Sequence, residues 1–145
     1  MEYFVIILIA YLAATTLRVL LLKLIASKKK SHIDLIKAVG TLYHGSYSHA
    51  LLKGLGQHYF IGLINAVIYF ILISVFNPGS AITSCLYGAL LGFFHGCVVS
   101  FTLTVIVDEN HPIPEFRVYG YEVAVYYWVA QILYGAVLGA IIGMA

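Results

Sequence analysis

Four residues of this chain place polar chemistry inside long apolar segments: Arg18, Asn65, His95 and Gln131. An arginine there brings a permanent charge and five donors, an imidazole can move a proton or ligate a metal, and an amide donates and accepts at once. Counted from the ends of their segments, Arg18, Asn65 and Gln131 lie about 12 Å deep and His95 about 18 Å deep, at about 1.5 Å per residue. A charged group at that depth costs on the order of 2.5 kcal/mol or more unless it pairs, faces a bundle interior or reaches an interface. Arg18 therefore has two destinations, the interior or the nearer headgroups by snorkelling. Asn65 and Gln131 are expected first as interhelical hydrogen-bonding groups. For His95 the first expectation is a neutral imidazole bonded to Tyr69, Tyr134 or a backbone carbonyl, with proton relay and metal or haem ligation as alternatives. Haem held by paired histidines needs a second histidine at matching depth, and His58 falls about four turns away.

A second set gathers at one membrane edge. His44, His49, His58, Asp108, Glu109, His111, Glu115 and Glu122 come from two connections and include the imidazole and carboxylate ligands taken by zinc, iron, manganese or copper. For a metal, His58, His95, His111 and Glu115 are the first candidates. No spacing is diagnostic, because His44 and His49 fit neither i,i+3 nor i,i+4 and no HExxH or Glu-x-x-His pair is present. The sequence requires no cofactor, although it leaves metal or haem open. No nucleophile can be matched with a neighbouring base, so no catalytic residue is expected and the chain reads as non-enzymatic. Nothing in it suits nucleic acid. Pro112 and Pro114 stiffen the segment from His111 to Arg117, which should fix Glu115 and Arg117 at the surface to meet Lys53, a partner or a pore entrance.

The elements that position these residues follow from composition. The chain is 62% hydrophobic and 10% charged, with a mean hydropathy of +0.97, whereas soluble domains run to about half apolar and a quarter charged. Lipid is the solvent that suits it. Its 145 residues hold about four spans of roughly 20 residues. The expected fold is all-α: one domain, a polytopic integral membrane protein with an antiparallel four-helix bundle over about 3–26, 50–76, 81–107 and 122–145. Between spans one and two, Ser31 with Asp34 suggests a capping pair. Ile33, Ile36, Val39 and Tyr43 then recur near helical spacing, predicting a short interfacial helix that Gly45 and Ser46 end. The turn Asn77-Pro78-Gly79-Ser80 makes spans two and three antiparallel neighbours. Asp108 to Tyr121 reads as loop.

Charge placement sets the expected orientation. Lys23, Lys28, Lys29, Lys30, Lys37 and Lys53 flank the first connection and Arg117 lies in the third. The positive-inside rule therefore puts both connections in the cytoplasm and both termini on the other side of a cytoplasmic-type membrane. Positive charge follows the first span instead of preceding it, which suits a retained anchor and not a cleaved signal. Tyr119, Tyr121, Tyr126, Tyr127 and Trp128 suggest an interfacial aromatic belt, with Tyr126 and Tyr127 placed to line a cavity. Cys85 and Cys97 sit about 18 Å apart on one helix and cannot pair.

Small residues form two stripes. Ser84, Gly88, Gly92, Gly96 and Ser100 recur every fourth position in span three, and Gly135, Gly139 and Gly143 continue from Gln131 in span four. Helices in lipid associate where small side chains let backbones approach. The similar strings Tyr87 to Gly92 and Tyr134 to Gly139 point to direct contact between spans three and four, and Gly62 with Ala66 makes a weaker stripe in span two. Whether the partner helix belongs to the same chain stays open. Three roles are consistent with these features. The first is a structural or accessory subunit assembling through the stripes with itself, as a homo-oligomer, or with a larger membrane complex. The second is a small transporter or channel lined by Arg18, Asn65, His95 and Gln131. The third is a metal- or haem-binding membrane protein.

Overall fold

The computed structural model describes residues 2–28, 34–43, 46–117 and 120–144. They form α1 (Glu2–Lys28), α2 (Leu35–Thr41), α3 (Ala50–Phe76), α4 (Ala81–Asn110), a single 3-10 turn (Pro114–Phe116) and α5 (Tyr121–Ile142). No strand occurs among the described residues. The helices α1, α3, α4 and α5 are each long and apolar enough to cross a membrane. Ser31, Ile33, His44, Gly45 and Tyr119, along with Lys29 and Lys30, lie outside the described residues.

The expected span boundaries correspond closely to the observed ones, with one correction. Helix α4 continues through Asp108, Glu109 and Asn110, which had been read as loop. Polarity alone does not end a helix. The stop is His111, whose extended backbone (ψ 129) is what the following Pro112 demands of its neighbour. At the other corner Asn77 adopts a left-handed conformation (φ 41) and so does Gly79 (φ 73). Ser80 then caps α4 by accepting from the Thr83 N–H.

Helix α5 is central, contacting α1, α3 and α4. The seam between α4 and α5 is built from the small residues. A Cβ placed on Gly88 would strike the carbonyl oxygen of Gly135, one on Gly135 would strike that of Gly88, and one on Gly139 would strike that of Ser84. Further along, Gly92 lies against the Gln131 backbone and Gly96 against the Gln131 side chain and Trp128. Residue numbers rise on one helix as they fall on the other, so the pair is antiparallel. Ser84, Gly88, Gly92, Gly96 and Ser100 are all buried, as are Gly135 and Gly139, and Gly143 meets the Ser84 side chain. The two stripes thus face each other within one chain. Large side chains such as Val75, Ile82, Leu86 and Val98 point outward, the arrangement expected where lipid is the solvent.

A second close approach involves α2. A Cβ on Gly40 would meet the Ala50 carbonyl oxygen, and one on Gly54 would meet that of Ile36. Asp34 caps α2, its Oδ1 accepting from the Ile36 and Lys37 N–H groups, and Lys23 pairs with its Oδ2 at 2.6 Å. The expected apolar face is split: Ile36 is buried, whereas Tyr43 is exposed. Glycine-to-backbone packing holds one face of α2 against α3 and so buries Ile36.

Candidate functional site

The intramembrane polar residues converge on Arg18. Its side chain is 2% exposed, so the route to the headgroups is not taken. Nη1 donates to Gln131 Oε1 at 2.9 Å and Nη2 to the His58 carbonyl at 3.1 Å, while the guanidinium carbon lies 4.8 Å from the centre of the Tyr134 ring. Such a ring face attracts a desolvated cation. None of these partners carries negative charge.

Because Gln131 Oε1 takes the arginine donor, its Nε2 is left to face His95 Nδ1, 3.3 Å away. An amide nitrogen can only donate, so Nδ1 is the acceptor. Tyr69 also donates to it, at 3.0 Å. The hydrogen therefore sits on His95 Nε2. Tyr134 in turn donates to the Gly62 carbonyl at 2.6 Å, and the lack of a side chain at Gly62 makes room for Thr15. Asn65 is buried on α3. Of the residues singled out from sequence, Arg18, Gln131 and His95 are directly connected. His58, expected about four turns from His95, joins the same group through its backbone, because the arginine side chain bridges the gap.

Several buried polar atoms near this centre have no hydrogen-bond partner in the protein: Arg18 Nε, His58 Nε2 and Gln57 Oε1. His58 itself is only 3% exposed. Arg18, Gln57 and His58 border a groove of about 270 Å³ between α3 and α4. Near the Asn77 corner those helices touch, Phe76 stacking on Tyr87 at 5.3 Å. They touch again at Tyr69 and His95. Beyond that point they part, and Phe60 and Ile61 face Val99 and Leu103 across the gap, with α2 at the end and Tyr127 within. Tyr127 was one of two tyrosines expected to line a cavity.

The metal candidates are dispersed. No three His, Cys, Asp or Glu side chains among the described residues come close enough to share an ion. His111 is buried at the α4–α5 connection with both nitrogens engaged: Nδ1 accepts from the Ile113 N–H at 3.0 Å, and Nε2 donates to the Ala38 carbonyl at 3.0 Å. Glu115 accepts from the Tyr47 hydroxyl at 2.6 Å instead of meeting Lys53. That carboxylate, by holding the phenol proton, raises the Tyr47 pKa. Arg117 Nε donates to the His111 carbonyl at 2.6 Å. His111, Glu115 and Arg117 therefore tie the connection to α2 and to the start of α3.

Sequence reasoning missed Gln57 and the roles of Tyr134 and Thr15. It also missed the α1 face of Ala10 and Ala14, both fully buried. Spacing of small residues could have revealed that face, since Ala10, Ala14 and Arg18 recur every fourth residue. Comparison with known proteins finds no family model, no curated protein and no solved structure that matches this chain.

Proposed function

We propose that this chain is a small non-catalytic membrane carrier that handles an anionic solute at Arg18. The observation that supports this reading is a guanidinium removed from water, held by neutral partners and retaining an unpartnered Nε. Burying a charge without a counter-charge is expensive, and intramembrane ionisable groups that are tolerated usually serve a pathway or a ligand. An anion arriving at Arg18 supplies the missing charge. His95 and Gln131 act as positioning residues, setting the direction of the guanidinium.

The accessory-subunit reading has less support, because the stripes that suggested an oligomer are occupied by each other inside one chain. A metal or haem role lacks a converging ligand set among the described residues. On the positive-inside rule, the groove end bordered by α2 lies toward the cytoplasm and the termini lie on the opposite side.

The test is purified protein in nanodiscs, titrated with acetate and with inorganic phosphate while thermal unfolding is followed, then reconstituted for flux in liposomes. The expected result is a concentration-dependent rise in Tm, as mass action requires of any ligand of the folded state, and anion flux that Arg18→Met abolishes. An unchanged Tm with no flux across the anion series would overturn the proposal.

A further inference from the structure

The groove's chemistry narrows the solute, and this inference rests on the anion reading above. Its buried charge and amide chemistry comes from Arg18, Gln57 and His58, Tyr43 and Tyr127 add phenol edges, and Phe60, Ile61, Val99 and Leu103 form apolar walls. Two of the polar side chains, Arg18 and His58, are more than nine-tenths buried and carry unpartnered nitrogens. At about 270 Å³ the groove is slightly smaller than most ligand pockets, which run from roughly 300 to 1,000 Å³. A whole amphiphile does not fit within it. A headgroup and the first part of a tail do, provided that the rest can leave sideways. The gap between α3 and α4 offers that exit, since Phe60 and Ile61 are exposed on the lipid-facing side.

We infer that the groove takes a single-chain amphiphile with an oxyanion head, carboxylate or phosphate. The head sits against Arg18 and His58 and the tail runs between α3 and α4 into the bilayer. Charge complementarity selects the head: the guanidinium Nε–H donates, as does the His58 imidazole in its Nε2–H tautomer, and an oxyanion accepts from both. A phosphate monoester would in addition offer a P–OH to Gln57 Oε1. Apolar lining selects the tail, because a short hydrophilic anion leaves those walls uncovered. The lateral position of the gap selects entry from the membrane.

The experiment uses the full chain in phosphatidylcholine nanodiscs and radiolabelled palmitate, palmitoyl lysophosphatidate and hexadecanol, with acetate and inorganic phosphate as tail-less probes. Saturable binding of palmitate or lysophosphatidate is expected, at least tenfold tighter than acetate or phosphate, and no saturable binding of hexadecanol. Which of the two amphiphiles binds tighter identifies the head. Arg18→Met should weaken amphiphile binding at least tenfold. Leu103→Trp, which fills the gap without touching the charge, should weaken the amphiphile while leaving acetate and phosphate unaffected, and this second variant keeps the test valid if Arg18→Met does not fold. Acetate or phosphate binding as tightly as the amphiphiles would overturn the tail assignment and leave the anion site standing. Hexadecanol binding as well as palmitate would overturn the head assignment, and no binding by any probe would remove both readings.

Discussion

Arg18 Nη1 and Gln131 Oε1 stand 2.9 Å apart across α1 and α5, between residues 113 positions apart in the chain. That bond decides which end of the Gln131 amide faces His95, and so which His95 nitrogen carries the hydrogen. One contact between the first and last spans thereby sets the polarity of the network out to Tyr69 on α3.

Replacing this amide separates a structural role from a ligand role. In Gln131→Glu a carboxylate takes the place of the neutral acceptor and neutralises Arg18 internally. The folded state should be at least as stable, yet anion affinity should fall tenfold or more, equivalent to about 1.4 kcal/mol. In Gln131→Leu the guanidinium loses its acceptor and stability should drop by about 1–3 kcal/mol. Thermal unfolding and anion titration on both variants check the pair, and a Glu variant that binds anions normally would contradict the assignment.

The α4–α5 seam leaves no room for a side chain. At Gly88, Gly135 and Gly139 an added Cβ meets backbone, which cannot rotate away. Gly88→Val or Gly139→Val should therefore destabilise the protein by about 1–3 kcal/mol, the usual range for overpacking. Gly56, also in a helix, has nothing within 4 Å of such a Cβ. There Gly56→Ala should be neutral or stabilising by up to about 1 kcal/mol, from helix propensity alone. Unfolding in mixed detergent reads both, and equal effects at the two sites would count against the packing account.

His111 joins elements far apart in the sequence. In His111→Ala the Ile113 N–H loses its partner and the Ala38 carbonyl keeps only the Thr41 hydroxyl, at a cost of about 1–3 kcal/mol for the buried group left unsatisfied. Hydrogen exchange should rise most over Leu35–Thr41. Adding a chelator to the native protein should leave Tm unchanged, since both ring nitrogens already have protein partners. A chelator-induced loss of stability would reverse this conclusion.

Tyr47 and Glu115 give a pH-dependent contact at the surface. The carboxylate raises the Tyr47 pKa above the ordinary value of 10.0. The contact is then fully present below the ordinary tyrosine range and is lost as pH rises through the elevated pKa of the folded state. Glu115→Gln removes the negative charge, so Tyr47 should titrate at lower pH than in the native protein. A difference titration of ultraviolet absorbance against Tyr47→Phe isolates this one phenol among twelve tyrosines, and no change in midpoint would refute the assignment.

The four spans and the facing stripes were legible because lipid imposes a simple rule: length and apolarity mark a span, and small residues at every fourth position mark a contact. Arg18, His95 and Gln131 stood out by being polar where polarity is expensive. Their mutual contacts did not, because counting depth along helix axes ignores the reach of a side chain, and an arginine covers more than a helical turn. The Gly40 and Gly54 crossing was hidden for a different reason, since Gly40 is a lone glycine and the α3 face of Ala50, Gly54, Gly62 and Ala66 is interrupted by His58. Gln57 was invisible because it lies near a helix start, where an amide is unremarkable until the fold closes around it. The end of α4 lies three residues later than the polar segment suggests, because the restriction imposed by Pro112 reaches back only to His111.

Glycine-to-backbone contacts also divide the molecule mechanically. Along the α4–α5 seam neither helix can slip without separating carbonyl from Cα at several levels, so the two pack as one slab. Crossing at Gly40 and Gly54 clamps α2 to α3 in the same way, making a second slab. The corner at Asn77 and Gly79 joins them, and the groove lies toward the far end from that corner. Polar ties cross between them as well, from Tyr134 to the Gly62 carbonyl, from Tyr69 to His95, and from Arg18 to both Gln131 and the His58 carbonyl, so the aperture at Arg18 is set jointly by that corner and by the buried network.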